Sequence, residues 1–171
     1  TKGEVKQEEK KDVKQETVYV DPEYEGAPKW VTEDEMTVDV IRVSGSAKIT
    51  SSGISFAETK AMADARRKMA ESIATIAKSS FEGFTNEVGI EGEESVDKVS
   101  KQVFNNLSKA KIENSIKKAT WISKTKTLYV LVEYDKKIAM KEAKKQIKSS
   151  MESDKAIWQM YLNEVNQKKL D

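Results

Sequence analysis

Residues 127–134 read TLYVLVEY, and the fold turns on them. Leu128, Val130, Val132 and Tyr134 share one parity, while Tyr129 and Leu131 share the other. A period of two marks a β-strand. Apolar side chains on both faces place it centrally in its sheet or against a partner. Upstream, Ser123-Lys124-Thr125-Lys126 reads as a turn, and Lys111–Ser123 carries Ile112, Ile116, Trp121 and Ile122 among Lys and Thr. That is the pattern of a half-buried strand, so the two segments form a hairpin.

A third strand comes from residues 37–50, TVDVIRVSGSAKIT. Val38 and Val40 keep one parity, then Ile41, Val43, Gly45, Ala47 and Ile49 keep the other, which predicts a long strand bulged near Val40-Ile41. Gly45 at its centre permits a bend or a close backbone approach. Next, Ser52-Gly53 gives a turn and Ser55-x-x-Glu58 has the form of a capping box. Met62, Ala65, Met69, Ile73 and Ile76 then recur at three and four, flanked by Ala70, Ala74 and Ala77. So narrow an alanine-rich stripe suits a helix lying close on a sheet, and Gly83 predicts its end near Phe81. Val96, Val99, Val103, Phe104 and Leu107 phase a second helix.

Asp135 is placed to cap a last helix with the phase Ile138, Ile147, Met151, Trp158, Tyr161, Val165. Unbroken to residue 171 it would be on the order of 50 Å long, so a bend or break is expected near Ser149-Ser150. Beyond it, IWQMYLNEV (157–165) spreads apolar residues around most of the helix, more than one domain covers on a projecting rod. These elements predict a two-layer α+β domain: a small three-stranded, mainly antiparallel sheet covered by helices, with an extended N-terminal tail and a long C-terminal helix.

Composition limits the chemistry. The 171 residues include 30 Lys+Arg, 29 Asp+Glu, and no His or Cys. Imidazole- and thiol-dependent mechanisms, and nearly all zinc, haem and iron–sulfur sites, are thereby excluded. A net charge of +1 gives no strongly basic field to steer nucleic acid. No apolar run approaches the ~18 residues of a membrane-spanning helix.

Residues 1–16, TKGEVKQEEKKDVKQE, contain only two apolar side chains, Val5 and Val13, and read as a charged tether. Residues 17–36 read as an extended docking segment. Asp21-Pro22 and Ala27-Pro28 disfavour helix, while Tyr19, Val20, Tyr24, Trp30 and Val31 are too apolar for a spacer. This segment packs on its own domain or docks into a neighbour, with Trp30 as anchor in either case. The core domain is assigned to 37–148 and an assembly extension to 149–171.

The order and spacing of several motifs resemble a known family. Gly26-Ala27-Pro28-Lys29-Trp30-Val31 precedes a strand with a small-residue centre. An alanine-rich helix follows (Ala57, Ala61, Ala63, Ala65, Ala70), then the strand Leu128-Tyr129-Val130-Leu131-Val132. Over residues 26–145 this is similar to the small outer-membrane lipoprotein family of ε-proteobacteria, which has flagellar members. The resemblance implies a periplasmic protein on the inner face of the outer membrane at the flagellar base. It also implies polymerisation into a ring or basal disk around the rod, with motor proteins as partners and no enzymatic activity. Such lipoproteins begin with a lipidated Cys, and this chain contains none. The implied anchor therefore lies just before Thr1, where a triacylated residue would hold stably.

Other classes find less support. No Gly-x-Ser-x-Gly, Ser-x-x-Lys or P-loop constellation is present. Glu93-Glu94, in the acid-rich loop 82–94, is a solvated pair rather than a catalytic one, and no calcium-loop spacing surrounds it. No catalytic, metal or cofactor residue is assigned. Lys136–Lys148 is rich in lysine, but stacking aromatics do not interleave with it, so nucleic acid is not assigned as a partner. An adhesin-like surface module is the alternative to a scaffold. For a self-assembling subunit the expected interface residues are Trp30, Val31, Trp121, Ile157, Trp158, Tyr161 and Leu162, since surplus apolar surface marks interaction sites.

Overall fold

A computed structural model describes residues 19–87, 93–108, 112 and 114–170. The tether assigned to 1–16 and the centre of the 82–94 loop lie outside the described residues. The chain order is β1 (Glu35–Met36), β2 (Val40–Lys48), α1 (Ile54–Glu87), α2 (Glu93–Ser108), β3 (Ile116–Ile122), β4 (Thr127–Asp135), α3 (Lys136–Glu152) and α4 (Lys155–Leu170). Two 3-10 turns, Pro22–Tyr24 and Lys29–Val31, precede β1. The fold is α+β, with one antiparallel sheet in the order β1-β2-β4-β3.

The two-faced strand is interior, as its pattern requires. β4 pairs along its whole length with β2, Val40 opposite Asp135 through Lys48 opposite Thr127. It pairs with β3 on its other side. The sheet has four strands rather than three. Glu35 and Met36 add a short edge opposite Arg42 and Ile41, and the chain reverses through Thr37, whose N–H donates to the Val40 carbonyl (2.9 Å). This reversal, and not a bulge, produces the change of parity at Val40-Ile41. The sheet's irregularity falls instead in β3, between Lys117 and Ala119.

α1 crosses the sheet where Gly45 stands. A Cβ on Gly45 would collide with the Ala61 carbonyl and the Ala65 N–H, and would sit 2.7 Å from the Ala65 Cβ. Ala57, Ala61 and Ala65 are buried, as are Ile41, Val43, Leu128, Val130 and Val132 beneath them. Two bonds fasten the helix to the strand over this contact. The Ser46 N–H donates to Asp64 (3.0 Å), and the Lys68 ammonium donates to the Ser44 carbonyl (3.1 Å).

The helix boundaries depart from expectation in three places. α1 starts at Ile54, directly after Gly53 at φ +91°, so Ser55 lies inside the helix and Glu58 pairs with Lys117 on β3. It also runs through Gly83 to Glu87 because Phe81 and Thr85, on either side, are buried. That packing outweighs the roughly 1 kcal/mol cost of a helical glycine. The C-terminal helix breaks at Ser153, slightly after the expected point. Asp154 starts a new helix by accepting from the Ala156 and Ile157 N–H groups (3.1 and 3.2 Å). Asp135 caps α3 as expected, accepting from Lys137 and Ile138.

α4 is consequently not a projecting rod. Ile157 is 1% exposed within the core, and the Tyr161 ring meets Phe84 of α1 edge-on at 5.9 Å. At about 50 Å, α1 outreaches the sheet, and its second half is covered by α2, α3 and α4.

Two outcomes test this packing. Gly45→Ala should cost at least about 3 kcal/mol, the upper range for overpacking, because backbone rather than flexible side chain opposes the new methyl; urea unfolding measures it. Burial raises the Asp64 pKa, but the Arg67 guanidinium, the Ser46 N–H and Lys68 together hold it below the usual carboxylate range. Its contribution is therefore complete above the ordinary carboxylate pKa and disappears as pH falls through the lowered value. Asp64→Asn should destabilise by about 1–3 kcal/mol at neutral pH, and the difference from the native chain should close in strong acid.

Candidate interaction surface

The face of the sheet away from α1 carries Arg42, Ser44 and Ser46 from β2, Tyr129, Leu131 and Glu133 from β4, and Ala119 and Trp121 from β3. Residues 21–34 clasp it. Asp21 accepts from the Glu23 N–H (2.9 Å) and starts the first 3-10 turn, which Pro22 favours. Glu23 then accepts from the Tyr129 hydroxyl (2.8 Å) and from the Thr125 hydroxyl. Burial raises the Glu23 pKa, but hydroxyl donors led by Thr127 and Tyr129 outweigh it and leave the carboxyl acidic. Burial, and then the facing Glu23, push the Tyr129 phenol well above its ordinary value. Lys124 pairs with Glu25 at 2.7 Å. At the second turn the Ser44 hydroxyl donates to the Val31 carbonyl (3.1 Å).

The expected interface residues fall into two groups. Trp30, Val31 and Trp121 gather on the clasped face, where Trp121 stands 5.5 Å from Tyr129 and Tyr24 6.4 Å from the same ring. Val31 is 5% exposed and belongs to the core, whereas Trp30 and Trp121 are half-buried. The docking segment thus packs on its own domain. Ile157, Trp158, Tyr161 and Leu162 lie apart from these, on α4. Ile157 is spent on the core, and the other three are half-buried, with Trp158 stacked on Tyr161 at 5.3 Å.

Beside Trp30 the clasp leaves an open cleft of about 600 Å³, bordered by Glu35, Arg42, Lys118 and Leu131. Part of its charge is committed internally: Arg42 binds Glu35 (2.7 Å) and Glu133 (2.8 Å), and Lys118 lies 3.9 Å from Glu133, while Lys29, Glu33 and Asp34 also line it. These ion pairs help to hold the cleft's wall together. Among the described residues, no group of three or more acidic side chains is placed to hold a metal ion.

Among the described residues, β3 stands at an edge of the sheet with no strand on its outer side. β1, at the other edge, has only two residues, while β3 presents seven. Ile116 is 61% exposed and Ile122 43% exposed. The irregularity between them turns Ile116 toward the clasped face, opposite Glu133, and Ile122 toward the helical face, opposite Leu128. Lys117 and Lys118 guard the first half with charge, but Ala119–Ile122 has none. Neither isoleucine was among the expected interface residues. Their sequence signal was the same apolar pattern that identified the strand, and it does not distinguish an edge from an interior position.

Comparison with known proteins gives a family. A model of the LPP20 lipoprotein family matches residues 28–135, from the second 3-10 turn through the last strand, which is more than half of the chain. No match was found among curated proteins or among solved structures. No described helix is long and apolar enough to cross a membrane. The chain belongs to the LPP20 lipoprotein family.

Proposed function

We propose that this protein is a non-catalytic structural subunit that assembles with copies of itself into a ring or disk under the outer membrane. The resemblance to the flagellar basal-disk protein FlgP supplies the setting: the periplasm at the flagellar base, motor proteins as neighbours, and a lipid anchor just before Thr1. Membership of a lipoprotein family agrees with that anchor. The observation that carries the assembly is the β3 edge. Its uncharged half offers a strand template to another chain, and Ile116 and Ile122 provide apolar contacts on both faces of any strand added there. Trp30 and Trp121 keep partial exposure and would extend the contact on the clasped face, while Trp158, Tyr161 and Leu162, also partly exposed, would give a separate one on α4.

Electron microscopy and light scattering of the purified full chain test this reading. The native protein should form large closed particles, with a mass that rises with concentration. Ile116→Lys combined with Ile122→Lys should stay small. Its stability should change little, within about 1 kcal/mol for two exposed sites. A native chain that stays monomeric at every concentration would overturn the proposal.

A further inference from the structure

We propose that α3 carries a second binding surface, a row of lysines that seats on the anionic phospholipid headgroups of a bilayer. Lys137, Lys141, Lys144, Lys145 and Lys148 are all exposed. With 3.6 residues per turn they fall within about 100° of arc and span about 16 Å. The opposite side of α3 is the packed one, with Ala139 and Ala143 buried, so the row points away from the domain. Glu142, the helix's one acid before its last turn, stands beside the row and bonds Gln146 (3.1 Å).

These lysines form no ion pair with any described residue, although the chain contains 29 acids. Like charges at i,i+4 spacing destabilise a helix slightly, so holding five along one line has a cost with no return among the described residues. An anionic plane fits a straight row of flexible ammonium groups without further shape matching. The acid-rich end of α2 in a second copy fits it less well, because exposed Glu94 and Asp97 share that helix with exposed Lys98 and Lys101. A single nucleic-acid strand offers phosphates too, but no aromatic side chain lies within the row to stack on its bases. The inference rests on membership of a lipoprotein family, which brings the chain to a membrane, and not on ring assembly. A basic patch is a recognised membrane-binding signal beside a lipid anchor.

Near an anionic surface each lysine strengthens binding about fivefold, so five together amount to roughly three-thousandfold, weakening as salt screens them. The test is co-sedimentation of the full chain with vesicles of phosphatidylcholine alone or mixed with phosphatidylglycerol. Native protein should bind the mixed vesicles, release in high salt, and ignore the neutral ones. Changing the five lysines to Gln should abolish binding, and changing them to Arg should preserve it. Changing Lys29, Lys60, Lys78, Lys124 and Lys126 to Gln, which alters net charge equally, should leave most of it. Circular dichroism checks that each variant is folded.

Several results would overturn the inference: equal binding to neutral vesicles, retention of binding in the five-Gln variant, or an equal loss in the charge-matched control. Tighter binding to duplex DNA than to mixed vesicles at the same salt would make the row a nucleic-acid surface instead. If native protein ignores vesicles while the five-Gln variant loses its rings, the row is a contact between copies. In that case the membrane reading fails and the assembly reading stands.

Discussion

The contact between Gly45 and the alanine row of α1 is the constraint on which the rest of the structure depends. Backbone meets backbone there, with no side chain between strand and helix. At that distance a carboxylate on the helix reaches a strand N–H, and Asp64 does so at Ser46. The close crossing also sets the height of the helical layer over β2 and β4, so that Val43, Val130 and Val132 fill the space with modest side chains. Larger residues on either side would lift α1, and the Asp64 and Lys68 bonds would be lost with the packing.

Much of this was legible before any coordinates. Gly45 within an apolar strand and alanines in phase along α1 are two halves of one requirement, and either alone would be weak. The double-sided pattern of 127–134 marked the interior strand, and Asp135 marked the start of α3. The illegible parts have physical causes. Two residues, Glu35 and Met36, are too few to show a period, and a tight reversal shifts parity in the same way as a bulge. The irregularity that does exist lies beside Lys117 and Lys118, which carry no apolar phase to reveal it. Gly83 looks like a stop because propensity is local, while the burial of Phe81 and Thr85 is not.

The interaction residues were less legible than the fold. Trp30 and Trp121 stand 91 positions apart in the chain and share the clasped face only because of the tertiary fold and strand register, which a single sequence does not display. The terminal segment reads as too apolar for one domain because a sequence does not show which way the last helix turns after its expected break. Asp154 breaks it, and the second piece covers the far end of α1, so Ile157 becomes core. Exposed apolar side chains are therefore found at a strand edge, Ile116 and Ile122, as well as on α4, where Met160 is exposed.

The two proposed surfaces make different physical demands, and the fold separates them accordingly. Strand pairing needs a rigid, directional row of backbone donors and acceptors with little charge, and β3 holds that row in the register fixed by β4. Headgroup binding needs the reverse: long, mobile cations with no fixed partner, which the outer side of α3 supplies. Placed on one element, the lysines would repel an approaching strand, as Lys117 and Lys118 already guard half of β3. The residues matching the family stop at Asp135, the cap of α3. The strand edge thus lies within the matched residues and the lysine row just beyond them, and because the five lysines are exposed, altering them leaves the packed side of α3 in place.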